Sequence, residues 1–440
     1  MARDVRAAVR NAVAATVAGT LVQPYVKKMA IEMGASNLQL GYFSSWPNLI
    51  SIFAVLGTAA LVARSREKAY LTGKIVLAGR FAALGAAAVP FLPEPTRILA
   101  LLFFWVLFSV PIQAAGAPVQ SLIADIYGPV DRGWVLSKRQ SSATVAGSIV
   151  GISCGYILDH FLPSPLGYQI VFCLSFLVAL VEVYYLRQMR PANFASAEAQ
   201  SAPAAAIEAV AAAAGTVTEA DVALDPVKPT WKQRMAPYLA VFRHRPFVLF
   251  LLCSLPFHFT WQMAWPLFDR YQISYLGANN MWVEVINLAN TSGAFFVYPI
   301  WQRLAERRGN QLMLGVATLF LGLAPGLTAL ATTPAGLAVI NILLGIGVSG
   351  VILLLMKALL DVSAPENREI YIAVHTALVA VSGAIAPLAG AGLMSLVPIR
   401  IGLVLCTFFR LSTGCSFFYL SWREKRKRET GRLLPLESDQ

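Results

Sequence analysis

Charge is scarce in this chain. Only 13% of its 440 residues are Asp, Glu, Lys or Arg, where a soluble domain carries about 25%, so a fold solvated on every side is excluded. There are five cysteines, Cys154, Cys173, Cys253, Cys406 and Cys415. All lie in apolar runs without CxxC spacing or a partnering histidine, which argues against a disulfide framework or cysteine metal site and for simple packing residues. Histidine is rarer still, at four. No His and carboxylate pair stands at metal-ligand spacing, and no activated nucleophile is recognisable. The phosphate-loop pattern GxxxxGK followed by Ser or Thr is absent, and no polar segment is large enough for a nucleotide-binding domain, which removes a primary pump. Neither an enzyme, nor a metal, nor a cofactor is expected.

Apolar sequence fills the space that charge leaves. Hydrophobic residues make up 57% of the chain and mean hydropathy is +0.62. A bilayer core needs ~20 apolar residues per helix, and such runs fall near 9–31, 38–63, 74–92, 97–118, 140–162, 166–187, 246–268, 282–302, 311–331, 335–357, 371–394 and 400–421. They are continuously apolar rather than alternating, which favours helices over a barrel. The fold class predicted is an all-α membrane protein of twelve transmembrane helices. An N-terminal six-helix bundle spans 1–187, a central linker 188–245, a C-terminal six-helix bundle 246–422 and a basic tail 423–440. The tract Ala192 to Pro229 is rich in Ala, Thr, Glu and Pro and nearly free of aromatics, so it cannot build a core, although Ala204 to Ala214 can form a transient helix.

The two halves echo each other. Asp125, Pro129 and Arg132 recur with the same spacing as Asp361, Pro365 and Arg368, after the fourth run of each half. Gly34, Ala35, Asn37 and Phe53 likewise match Gly277, Ala278, Asn280 and Phe296 at constant offset. With an even number of spans per half, both copies keep one orientation, giving a parallel pseudo-two-fold repeat.

The net charge of +12 is distributed as the positive-inside rule requires and not as a nucleic-acid footprint. With the amino terminus inside, basic residues gather at cytoplasmic ends: Arg3, Arg6 and Arg10, Arg64, Arg66 and Lys68, Lys138 and Arg139, Arg303, Arg307 and Arg308, and Arg423 to Arg432. Only Lys27, Lys28, Arg97, Arg270 and Arg400 fall toward the outside, with Arg80 and Arg410 within spans. Both termini are expected in the cytoplasm, in a bacterial inner membrane. The first run lacks a small-residue cleavage site and is expected to remain as a span.

This pattern resembles the major facilitator superfamily over nearly all of the chain except linker and tail. The six-plus-six layout, the paired Asp, Pro and Arg sets, and Glu306, Arg307 and Gly309 after the eighth span carry the resemblance. Gln302, Asn310 and Gln311 depart from that loop signature. In the first half Glu67 and Lys68 keep the acidic and basic pair, but Tyr70 stands where glycine is usual. Gly147, Gly151 and Gly155 form a small-residue face on the fifth span without the rest of the antiporter signature, and read mainly as close helix packing.

The resemblance implies a central cavity lined by the first, fourth, seventh and tenth spans, and a protein that moves a small solute by alternating access. Thr16, Thr20, Gln23 and Lys27 share one face of the first span at i, i+4, i+7 and i+11, with Pro24 permitting a kink. Lys27 and Lys28 can equally snorkel to headgroups. Ser109, Gln113 and Gln120 share a face of the fourth span, where an interhelical hydrogen bond is the plainer reading of Gln113. The seventh span offers Ser254, His258, Trp261, Gln262 and Trp265, and the tenth Asn341, beside Asn287 and Asn290 of the eighth. The substrate-binding candidates are Thr20, Gln23, Lys27, Gln113, His258, Trp261, Gln262 and Asn341. His258 is also the candidate for coupling to a proton, since imidazole titrates near neutral pH; a buried neutral histidine bonded to a neighbouring helix is the alternative.

His375 reads as a gate or solvated group. Arg80 and Arg410 read as interhelical bonding or snorkelling, and Asp159 and Glu182 as able to reach water, leaving no mid-membrane carboxylate on the four cavity spans. Asp125, Arg132, Glu306, Arg307, Asp361 and Arg368 are the candidate cytoplasmic gate. A small-molecule substrate, membrane lipid and a candidate coupling proton are the expected partners of a monomer that binds no nucleic acid. Multidrug or amphipathic efflux is the alternative within the class, and a non-transporting sensor or assembly partner of the same fold the alternative outside it.

Overall fold

The computed structural model describes residues 2–189 and 239–432, apart from 64, 66, 128, 163 and 365–367. Within them every regular element is helical. The helices are α1 (Ala2–Thr20), α2 (Gln23–Glu32), α3 (Asn37–Ala63), α4 (Lys68–Ala88), α5 (Glu94–Ile126), α6 (Pro129–His160), α7 (Leu166–Gln188), α8 (Arg245–Met263), α9 (Trp265–Arg270), α10 (Asn280–Arg308), α11 (Asn310–Gly322), α12 (Ala324–Leu330), α13 (Pro334–Val362), α14 (Arg368–Leu396) and α15 (Ile399–Arg432). Taking α1 with α2, α8 with α9 and α11 with α12 as broken spans gives twelve crossings, and nine of the described helices are long and apolar enough to span by hydropathy alone. The eighth span, α10, falls short because Glu284, Asn287, Asn290 and its arginine-rich end interrupt it. Most of the linker lies in the undescribed stretch 190–238.

The breaks have a common cause. Proline has no N–H to donate and its ring crowds the preceding turn, and Pro24, Pro266 and Pro325 each stand near the start of the second piece of a broken span. Pro24 and Pro266 are 242 positions apart, whereas the loop glycines Gly34 and Gly277 are 243 apart. Between them α9 runs into a π turn, Tyr271–Tyr275, and a π turn accommodates one extra residue in a helix. The inserted residue accounts for the change of register between the repeats.

After the break the copies coincide again. Gly34 and Gly277 have φ of 83° and 63°, a region costly for any residue with a Cβ. Ser36 Oγ then accepts from Gln39 N at 3.2 Å, and Asn279 Oδ1 accepts from Trp282 N at 2.9 Å, so equivalent caps open the second and eighth spans.

Each half packs around its own apolar core. Tyr25, Phe43, Phe108, Tyr168 and Phe172 lie in that of the N-terminal bundle, and Phe247, Phe250, Phe257 and Phe417 in that of the C-terminal one. Between the bundles α3 packs on α14, and α6 on α10. The end carrying Ala2 and Arg432 is the terminal end, and the one carrying Gly34 and Gly277 is the distal end.

Candidate functional site

Three cavities lie along the seam and share walls. The central one, about 630 Å³, is lined by Thr16, Thr20, Gln23 and Lys27 from the first span, Trp105 from α5, Gln140, Thr144 and Ser148 from α6, Asp269 from α9, and Glu284, Asn287, Asn290 and Asn341 from the facing bundle. It shares Asp269, Asn287, Asn290 and Asn341 with a mixed aromatic and polar pocket of about 230 Å³ in the C-terminal bundle, bordered by Trp261, Trp265, Phe268 and Arg410. It shares Thr16, Thr20 and Gln23 with a pocket of about 430 Å³ inside the N-terminal bundle, which runs from Gln23 toward Asn11, Arg139 and Leu186 at the terminal end.

The distal mouth is closed by polar contacts between the bundles. Lys27 Nζ is 2.6 Å from Asp269 Oδ2. Lys28 Nζ donates to Ala278 O at 3.1 Å and Arg270 Nη1 to Ala35 O at 3.2 Å. Asp159, at the end of α6, accepts from the backbone N–H of Asn280 and of Met281 at 2.9 Å and 2.8 Å, and from Asn280 Nδ2 at 2.8 Å. A carboxylate there satisfies first-turn donors and sits at the positive pole of the α10 dipole. Asp159 is therefore a cap for the opposite bundle, not the water-facing group expected from its position. Nearby, Tyr168 Oη lies 3.0 Å from both Glu32 Oε2 and Asn280 Oδ1, with one hydroxyl proton to donate to either.

The glycine face of α6 makes this seam possible. A Cβ on Gly147 would stand 2.8 Å from Thr16 Cγ2, one on Gly151 would meet Glu284, and one on Gly155 would stand 2.7 Å from Met281 Cα. These glycines let α6 lie against α1 and α10 at once, the close packing read from their spacing.

The candidates from sequence fall into two groups. Thr20, Gln23, Lys27 and Asn341 border the central cavity, and Trp261 the adjoining pocket. His258 and Gln262 do not join them. His258 is 7% exposed; its Nδ1 is 2.8 Å from Ser254 O, and Ser254 Oγ is 2.9 Å from His375 Nε2. Gln262 accepts from Ser382 Oγ at 2.7 Å. Both side chains serve the contact of α8 with α14, and His375 is buried there rather than solvated. Gln113 is exposed and is not among the residues bordering the three cavities.

Other ionisable groups sit where position alone did not place them. Arg80, 2% exposed, pairs through Nε with Glu182 Oε2 at 3.0 Å and donates from Nη2 to Ala15 O at 2.9 Å, so Glu182 is a buried partner rather than water-facing. Arg139 is not in a cytoplasmic loop environment: it is buried and donates to Ala8 O at 2.8 Å. Arg410 is fully buried and bonds Leu321 O at 3.2 Å and Trp261 O at 3.1 Å, which is interhelical bonding, not snorkelling. Asp269 and Glu284 are the carboxylates that were missed. A signal for Asp269 was present, since His258, Gln262, Trp265 and Asp269 repeat the i, i+4, i+7 and i+11 spacing of the first-span stripe.

The second half of the sequence, residues 250–437, matches the family model for the Major Facilitator Superfamily. The whole chain shares its fold with solved members: NupG, a nucleoside transporter (TM-score 0.69, 8% identity, 94% of this chain and 99% of that one); a bacterial homologue of the lysosomal transporter Spinster in an inward-facing, unoccupied conformation (0.63, 12%, 96% and 97%); and a peptide transporter POT (0.61, 14%, 96% and 94%). The second half of the chain thus carries the superfamily's sequence signature, and the whole chain has the fold these transporters share. No curated protein matches the sequence. At these identities the structural likeness speaks for the fold. The match over the second half and the nine apolar helices among the described residues mark an integral membrane protein with a transporter fold.

The superfamily's loop signature is visible at the terminal end. Gly309 closes α10 with φ of 93°, the backbone reason for glycine there. Glu306 is exposed and accepts from Gln302 Nε2 at 3.1 Å, Arg307 is exposed, and Asn310 Nδ2 donates to Asp361 Oδ2 at 2.7 Å. An amide thus contacts Asp361 from a position where a basic residue is usual. The side chains of Asp125, Arg132 and Arg368 lie outside the described residues.

Proposed function

We propose that this protein carries a small solute across a bacterial inner membrane by alternating access, with both termini in the cytoplasm. The observation that carries the reading is the Lys27–Asp269 pair at 2.6 Å, which ties the first span to the seventh at the distal mouth while the connected cavities run toward the terminal end. In this orientation the structure corresponds to an inward-facing state. Passing the solute to the other face requires the distal contacts of Lys27, Lys28 and Asp159 to break as the bundles rock on the α6–α10 and α3–α14 contacts. Lys27 is neutralised by Asp269 in this state, so the central cavity is polar without a free cation from Lys27.

Within this reading the solute carries an apolar portion. The pocket bordered by Trp261, Trp265 and Phe268 offers flat aromatic surfaces on which an apolar or ring-shaped portion can stack, which keeps amphipathic compounds among the substrates. Proton coupling fits Glu284 better than His258, because Glu284 faces the central cavity and His258 faces His375.

The test is labelling in sealed proteoliposomes, with a single cysteine at exposed Asn287 in a background from which all five native cysteines have been removed. Labelling from both faces, altered by Lys27→Ala, is expected, together with uptake from a panel of solute classes. Labelling confined to one face in both variants would exclude alternating access.

A further inference from the structure

We propose that the N-terminal bundle holds a subsite for an anionic group, a carboxylate or a phosphate ester, in the pocket that Arg80 and Arg139 both border. The inference rests on the cavity being a solute path and names the chemistry of one end of that solute.

Charge balance is the first argument. The pocket is bordered by Arg80, Arg139 and Glu182, two cations against one acid, and all three are buried, with Arg80 2% and Arg139 9% exposed. Glu182 is committed to Arg80 Nε at 3.0 Å. The hydrogen bonds of Arg139 go to neutral acceptors, Ala8 O at 2.8 Å and Asn11 Oδ1 at 3.5 Å. A buried cation without a counter-charge is costly, and an anion drawn from solution cancels that cost.

Donor geometry is the second. Arg80 uses Nε and Nη2, but its Nη1 has no hydrogen-bond partner. A Cβ on Gly19 would stand 4.0 Å from this Nη1 and 3.3 Å from Gln23 Nε2. Two N–H donors therefore lie beside Gly19 on the wall of the pocket. Guanidinium groups present planar, paired donors that match carboxylate and phosphate oxygens. The pocket volume of about 430 Å³ lies in the ~300–1,000 Å³ range of ligand sites. Because Thr16, Thr20 and Gln23 also border the central cavity, a solute held by its anionic end extends its body toward the facing bundle.

Thermal unfolding of the full-length protein in phosphatidylcholine nanodiscs tests this, with benzoate, phenyl phosphate and inorganic phosphate as probes and benzamide as the neutral counterpart of benzoate. At least one anion is expected to raise Tm saturably while benzamide does not. The apparent Kd should weaken tenfold or more in Arg139→Gln and in the double variant Arg80→Gln/Glu182→Gln, which avoids stranding Glu182. A shift from none of the anions, an equal shift from benzamide, or unchanged affinity in both variants would overturn the subsite. Nanodiscs containing phosphatidylglycerol separate lipid from solute: loss of the benzoate effect there would assign the site to a headgroup and overturn it as a substrate site. The two-face labelling of Asn287→Cys uses no anion, so a protein that switches faces yet ignores the probes keeps the transport reading and loses only the subsite.

Discussion

Lys27 and Asp269 occupy matching positions in the two sequence repeats and meet each other across the seam at 2.6 Å. Pseudo-two-fold symmetry brings equivalent helices face to face at the central cavity, so the distal ends of a stripe repeated in both halves meet. A cation in one copy and an anion in the other turn that convergence into a bond. Because the side chains are only 23% and 21% exposed, screening by water is incomplete.

Charge reversal at either position places like charges in contact. Lys27→Asp or Asp269→Lys should raise labelling of a distal-face cysteine several-fold, and the swapped double variant should restore much of the closed population. Equal labelling in wild type, both single variants and the swap would show that the pair does not hold the mouth.

Glu284 is 7% exposed, its Oε1 has no hydrogen-bond partner, and it lies against Gly151 where the bundles meet. A carboxylate so placed is inexpensive only when protonated or when the seam opens to water. Glu284→Gln should preserve folding and solute exchange while removing the dependence of uptake on a pH gradient. Gradient-driven uptake that persists at wild-type level would clear Glu284 of a coupling role.

For the Arg80 and Glu182 pair, the expected readout is stability. Removing one partner of a buried pair typically costs about 3–5 kcal/mol, and replacing both by apolar groups much less. Arg80→Leu should lower the unfolding midpoint in detergent far more than Arg80→Leu/Glu182→Leu. Additive losses in the double variant would mean that the two side chains act independently.

His258 is held by Ser254 and faces His375, with ring centroids 5.6 Å apart. His258→Ala should cost about 1–3 kcal/mol, the usual penalty of a lost buried hydrogen-bonding group, while leaving solute Kd unchanged. Thr20→Ala and Asn341→Ala, at the cavity wall, should do the reverse. A large Kd change in His258→Ala with normal stability would return that residue to the solute path.

Much of the architecture follows from local physics that any reader of the sequence can apply. Continuous apolar runs must be helical in lipid because their backbone groups have no other partners, and proline and glycine mark where Pro24, Pro266 and Gly309 break or close those helices. Helical periodicity likewise placed Thr16, Thr20, Gln23 and Lys27 on one face, because that depends only on rise and turn per residue. Which face meets which neighbour is a property of the packed bundle. Whether Arg139 lies in solvent or beneath α1, whether Asp159 meets water or caps α10, and whether His258 turns to the cavity or to His375 are decided by contacts between residues more than a hundred positions apart. Spacing along a chain carries no information about such rotations. The ionisable side chains of this protein therefore took their roles from the tertiary fold, where the cost of burying charge selects the nearest partner.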